Sequence, residues 1–96
     1  MEEKILTLHP QGKAGVNILK RRYDQVKAYI IKKLGQSETI TFDKLADLSE
    51  EELQPQFDGK VLWYLVTVKL DLEARGLIER VPKTSPHQIR LKKLVS

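Results

Sequence analysis

The run VLWYLVTVKLDLEARGLIERVPKTSPHQIRLK, residues 61–92, decides the fold. Val61, Leu65, Val68 and Leu72 recur at i, i+4, i+7 and i+11, the spacing that lines one side of an α-helix. The pattern predicts a helix over roughly 59–75, stopped by Gly76, the residue type that most easily takes the left-handed turn ending a helix. Beyond the glycine the period changes. Leu77-Ile78-Glu79-Arg80-Val81 has strand content, and in Gln88-Ile89-Arg90-Leu91-Lys92 apolar residues alternate with polar ones, as a half-buried strand requires. Between them Pro82-Lys83-Thr84-Ser85-Pro86-His87 makes a loop stiffened by two prolines. The stretch reads as a helix followed by a β-hairpin.

Working upstream, Gln54-Pro55-Gln56-Phe57-Asp58-Gly59 is a connection, with Asp58 placed to cap the third helix. Phe42, Leu45, Ala46 and Leu48 supply a second helix that opens near Thr41 or Asp43. Ser49-Glu50-Glu51-Glu52 matches the capping-box pattern and predicts a bend with a fresh helical turn, ended by Pro55. Thr39-Ile40-Thr41 is a short β-branched piece that can join the hairpin as a third strand. The first helix is expected from about Asn17 to Leu34, with Leu19, Tyr23, Val26, Ile30 and Leu34 on its apolar stripe and Gly35 just past its end. Lys20, Arg21, Arg22, Lys27, Lys32 and Lys33 occupy the rest of its surface as a solvated face. Residues 1–16 read as an N-terminal arm, extended over Ile5-Leu6-Thr7-Leu8 and turn-rich from His9 to Gly15, and residues 17–96 as the domain proper. Gly12-Lys13 is no phosphate loop, because Thr7 stands where that motif needs its first glycine and Ala14 where it needs Ser or Thr.

Helix, short strand, helix, helix, hairpin is the order of a winged helix-turn-helix. The expected class is mainly α with a small antiparallel β-wing: three helices plus a two- or three-stranded sheet. Leu70-Asp71-Leu72-Glu73-Ala74-Arg75-Gly76-Leu77-Ile78-Glu79-Arg80 resembles the join between third helix and wing in many bacterial winged-helix proteins. The whole chain, from His9-Pro10-Gln11-Gly12-Lys13-Ala14-Gly15-Val16-Asn17-Ile18 through Thr67-Val68-Lys69-Leu70-Asp71-Leu72, also resembles a small bacterial family of single-domain proteins with no established activity. That resemblance implies the fold and leaves the function open.

Composition bounds what such a domain can do. The 96 residues are 41% hydrophobic and 31% charged, enough for one modest core. With no cysteine, disulfides, thiolate zinc sites and cysteine nucleophiles are excluded. No apolar run approaches the ~20 residues of a membrane span, so no membrane partner and a cytoplasmic location are expected. His9 and His87 each adjoin a proline and have no histidine partner at i+3 or i+4, and no Gly-x-Ser-x-Gly occurs. No metal, cofactor, catalytic residue or small-molecule substrate is therefore expected. The net charge of +4 conceals a pattern: 8 Lys/Arg against 3 Asp/Glu in residues 1–35, 1 against 7 in 36–59, and 8 against 3 in 60–96.

Two functional expectations follow. The first is duplex DNA binding, as in a transcriptional regulator or accessory factor, with the third helix in the major groove and the wing on neighbouring phosphates. The face read as opposite the Val61/Leu65/Val68/Leu72 stripe holds Lys60, Tyr64, Thr67, Asp71 and Arg75, and the wing adds Arg80, Lys83, Arg90 and Lys92. Asp71 in the middle of that face opposes phosphate contact unless it reads a cytosine amino group or pairs with Arg75 at i+4, and the acidic second helix opposes it too. The second expectation is a protein-interaction or homodimer surface. Leu62, Val66 and Leu70 form a second apolar stripe, with Trp63 and Tyr64 beside it, aromatic types enriched at interface hot spots. Cover from the arm (Ile5, Leu6, Leu8) or from Leu94-Val95 is the competing account of that stripe.

Overall fold

A computed structural model describes residues 2–92, so the position of Leu94-Val95 lies outside the described residues. The chain forms β1 (Lys4–Leu6), β2 (Asn17–Leu19), α1 (Lys20–Gly35), β3 (Ile40–Thr41), α2 (Phe42–Glu52), a 3-10 turn (Gln54–Gln56), α3 (Val61–Ala74), β4 (Ile78–Arg80) and β5 (Gln88–Leu91). Three helices pack against a three-stranded antiparallel sheet of order β3-β5-β4, the helix-plus-wing arrangement read from the element order. β3 pairs with the second hairpin strand, Ile40 opposite Ile89, and Ile78 stands opposite Leu91. Ile78 and Ile89 turn inward to meet Tyr23, Val26, Ile30 and Leu34 of α1, Leu45 of α2 and Val61, Leu65, Val68 and Leu72 of α3. Each helix stripe thus faces one shared core, and the sheet closes a side that three short helices leave open. Gly76 takes φ +77°, the left-handed conformation expected where α3 gives way to the wing.

The local expectations fail where a distant partner intervenes. Asn17 to Leu19 is a strand and not the first turn of α1, because it pairs antiparallel with Lys4 to Leu6, Ile5 opposite Ile18. The Lys20 N–H then donates to the Glu3 carbonyl at 2.9 Å, and the helix starts only there. Gly35 is the last residue of α1 and not a left-handed stop. Gln36, in a right-handed conformation, closes the helix by donating to the Lys33 carbonyl. α2 runs unbroken through Ser49, whose buried hydroxyl donates to the Ala46 carbonyl at 2.8 Å in place of capping a new turn. Thr41 does cap α2, accepting the Lys44 N–H at 3.1 Å.

Asp58 does not cap α3. It is held instead by Arg21 and Arg22 of α1 at 3.0–3.2 Å. The cap role passes to Gln54, whose Oε1 accepts the Val61 N–H at 3.0 Å while its Nε2 donates to the Gly59 carbonyl at 2.8 Å. The acidic middle of the chain is thereby part-neutralised by α1, through Asp58 and through Lys33 to Glu52 at 2.7 Å.

Candidate interaction surface

At 100° per residue, the direction opposite the buried Val61/Leu65/Val68/Leu72 stripe passes through Trp63, Val66 and Leu70, and the row from Lys60 to Arg75 lies about 90° to one side. That row turns toward α1 and the arm, so reading it as the outward face is corrected. Tyr64, Asp71 and Arg75 of this row are engaged within the fold, whereas Lys60 at its start is exposed. The Tyr64 hydroxyl accepts from Arg22 Nη1 at 2.8 Å, and its ring lies edge-on to Phe57 at 5.2 Å with the Arg22 guanidinium 5.6 Å from its centre. A Cβ on Gly59 would come within 2.9 Å of the Tyr64 ring, so a residue without a side chain is needed beside it.

Asp71 is the clearest departure from expectation. It is fully buried, with one carboxylate oxygen accepting the Leu8 N–H at 2.8 Å and the other accepting from the Tyr23 hydroxyl and from Arg75 Nε at 2.8 Å. Burial, and then the Asp71 carboxylate, push the Tyr23 phenol up from its usual range. The acidic residue expected to repel phosphate is instead the anchor that ties the arm and α1 to α3.

The outward face is apolar. Leu62, Trp63 and Val66 are 40%, 49% and 44% exposed, although they occupy two consecutive turns of a helix at the centre of the fold. Trp63 leans edge-on against Tyr64, ring centres 4.9 Å apart, which fixes its indole as a ridge. The arm covers this face only at its far end. Leu8 and Val16, with Thr7 and Ala14, meet Thr67 and the half-buried Leu70 around a crevice of about 130 Å³. Gly15 lets the arm fold back on itself to form one wall of this crevice, since a Cβ there would lie 1.7 Å from the Thr7 carbonyl oxygen. Of the arm residues expected to provide cover, Ile5 packs on the core, Leu8 lines the crevice and Leu6 stays exposed. Val16 was missed; its signal was the pairing of two short apolar runs across a turn-rich loop.

The cations expected to meet phosphate fall into two groups. Arg75 is paired with Asp71, and Arg90 with Glu79 at 2.7 Å. Among the described residues Lys60, Arg80, Lys83 and Lys92 have no carboxylate within 4.0 Å. Lys83 sits in the loop between the wing strands with φ 61°, beside Thr84, whose hydroxyl donates to the Val81 carbonyl and accepts the Gln88 N–H. Among the described residues no group of three His, Asp or Glu side chains is placed to hold a metal ion. Among the described residues no helix is long and apolar enough to cross a membrane.

Beneath the wing loop, His87 stacks on Phe42 at 5.8 Å, and the buried Lys69 ammonium lies 5.7 Å from the same ring while pairing with Glu73 at 2.6 Å. His87 Nε2 is buried without a hydrogen-bond partner. Burial first, then the charges of Lys69 and Arg80, lower its pKa from 6.5, against weaker opposing pulls from Glu73 and Asp43. A histidine held neutral in the folded state contributes fully above pH 6.5, and that contribution is lost as pH falls below it. Urea denaturation at pH 7.5 and 5.5 is expected to show a larger acid loss for the native chain than for His87→Gln. Equal losses would place the imidazole in solvent.

The model of DUF6958, a family of unknown function, matches residues 4–89. No curated protein and no solved structure matches the chain.

Proposed function

We propose that this chain, which belongs to DUF6958, is a protein-interaction module built on a winged helix, with the outward face of α3 as its binding surface. One observation carries the reading: Leu62, Trp63 and Val66 stand exposed on successive turns, Trp63 and Val66 on the side of the third helix turned away from the core and Leu62 on its flank. Exposed apolar clusters of this kind mark binding sites, because water around them is released when a partner covers them. A tryptophan already fixed against Tyr64 loses little freedom on binding, which suits it to anchor an interface. The same face is poor for a DNA groove. Apart from Lys60 at its start it carries no basic side chain, and phosphate neutralisation supplies most of the affinity for duplex.

The test is site-specific photo-crosslinking in the producing cell, with a benzophenone amino acid at position 62 or 66 and, as control, at the exposed Gln36. Adducts of discrete mass from 62 and 66, and none from 36, are expected. No adduct from either α3 position overturns the reading.

A second reading, duplex DNA binding through α3 and the wing, is favoured by the unpaired state of Lys60, Arg80, Lys83 and Lys92 among the described residues. It requires an affinity for mixed-sequence duplex that falls steeply with salt and is lost in the Lys60→Glu/Lys83→Glu double variant. No binding at low salt removes it.

A further inference from the structure

We propose that the partner is a second copy of this chain, docked antiparallel along α3 with Val66 at the dyad and each Trp63 seated in the other copy's crevice between arm and α3. The inference rests on the interaction reading above and names its occupant. A two-fold interface requires one patch to carry both a projecting group and the recess that receives it. This face has both: the Trp63 ridge, and a few residues further along the same helix the crevice bounded by Leu8, Ala14, Val16, Thr67 and Leu70.

Their spacing fits the symmetry. At 1.5 Å rise per residue, Trp63 lies about 4.5 Å before Val66, and Thr67 to Leu70 lie about 1.5–6 Å after it. An antiparallel pair centred on Val66 therefore sets Trp63 level with position 69 of the other copy, within the span of the crevice. The lateral direction agrees as well. A two-fold rotation keeps the arm-facing edges of both helices on the same side, and Trp63 and the crevice both lie on the arm-facing side of Val66.

Charge and area point the same way. Two chains of net charge +4 repel, so they can meet only where neither presents charge at close range. Leu62, Trp63, Val66, Thr67 and Leu70 form such a surface, with Lys60 at its end. The exposed parts of Leu8, Val16, Leu62, Trp63 and Val66 amount to on the order of 450 Å². That is rather more than half of the roughly 800 Å² per partner of a stable specific interface.

The test is sedimentation of the native chain from about 1 µM to 1 mM, with two variants that damage opposite halves of the contact. Trp63→Ala removes the ridge, and Ala14→Arg, at an exposed position lining the crevice, blocks the recess. The native chain is expected to double in mass with concentration, and each variant alone to associate roughly 30-fold more weakly. In an equimolar mixture the Ala14→Arg chain still offers Trp63 and the Trp63→Ala chain still offers an open crevice. The mixture is expected to associate more tightly than either variant alone, a recovery that misfolded chains would not show. A native chain that stays at monomer mass throughout, or a mixture no tighter than its components, overturns the proposal. If the native chain stays monomeric while positions 62 and 66 crosslink to a protein of different mass, this inference falls and the interaction reading stands. If those positions crosslink to nothing, both fall.

Discussion

Replacing Asp71 by alanine is expected to destabilise the chain by about 3–5 kcal/mol, the usual consequence of removing one member of a buried charge network. Three donors converge on this carboxylate: the Leu8 N–H, the Tyr23 hydroxyl and Arg75 Nε. Arg75 is exposed enough to turn to water, but Tyr23 is buried and its hydroxyl would have no acceptor. The loss is greater than that of one hydrogen bond because the bond to Leu8 joins residues 63 apart and holds the arm against α3. Asp71→Asn keeps the shape and one acceptor oxygen while losing the attraction to Arg75, and is expected to cost about 1–3 kcal/mol; Tyr23→Phe is expected to cost about 1 kcal/mol. Urea denaturation gives the ranking, and hydrogen exchange at the Leu8 amide reports whether the arm is released. An Asp71→Ala chain within 1 kcal/mol of the native one, with Leu8 still protected, would mean that the carboxylate does not carry the arm.

Asp71 also shows where a single sequence stops being informative. The third helix was legible because its apolar spacing and Gly76 are local signals, and the wing because its two strands follow directly and pair with each other. Asp71 lies on that same helix, and nothing within a turn of it says that a phenol 48 residues upstream and an amide in the arm will enclose it. Aspartate is rarely buried, so exposure was the natural expectation. Arg75 at i+4 was the only local hint.

The same limit explains Asp58 and Gln54. Capping preference favours aspartate just before a helix, but two arginines of α1 claim Asp58 and leave the longer Gln54 to reach Val61. The β1–β2 hairpin escaped for a related reason: Leu19 continues the helical stripe of α1, and only the pairing of Asn17 to Leu19 with residues 11–15 positions away turns that segment into strand. In each case the backbone choice was nearly balanced locally and a distant contact decided it.

The candidate surface was legible in its residues and illegible in its direction. Leu62, Trp63, Val66 and Leu70 were recognisable as a second apolar stripe, but whether the arm covered them depended on where the arm docks, which the bond from the Leu8 N–H to Asp71 helps to set. The arm approaches at Thr67 and Leu70 and leaves Leu62, Trp63 and Val66 open.

That asymmetry makes the last prediction a comparison between two leucines of one helix. Leu65 is fully buried among α1, α2 and the sheet, whereas Leu62, three residues earlier, is 40% exposed. Leu65→Ala is expected to cost about 3–4 kcal/mol, the transfer of the lost methyl groups plus the void they leave in a packed core. Leu62→Ala removes the same atoms where water already reaches them, and is expected to cost less than about 1 kcal/mol in the dilute monomer. Thermal or urea unfolding at low protein concentration measures both, keeping association out of the comparison. The contrast bears on function as well as on stability. If Leu62→Ala proves as costly as Leu65→Ala, the outward face of α3 is already covered within one chain, and a partner would have nothing there to bind. If the cost stays small in the monomer and grows with protein concentration, the leucine is unused by the fold itself and becomes buried only when two chains meet.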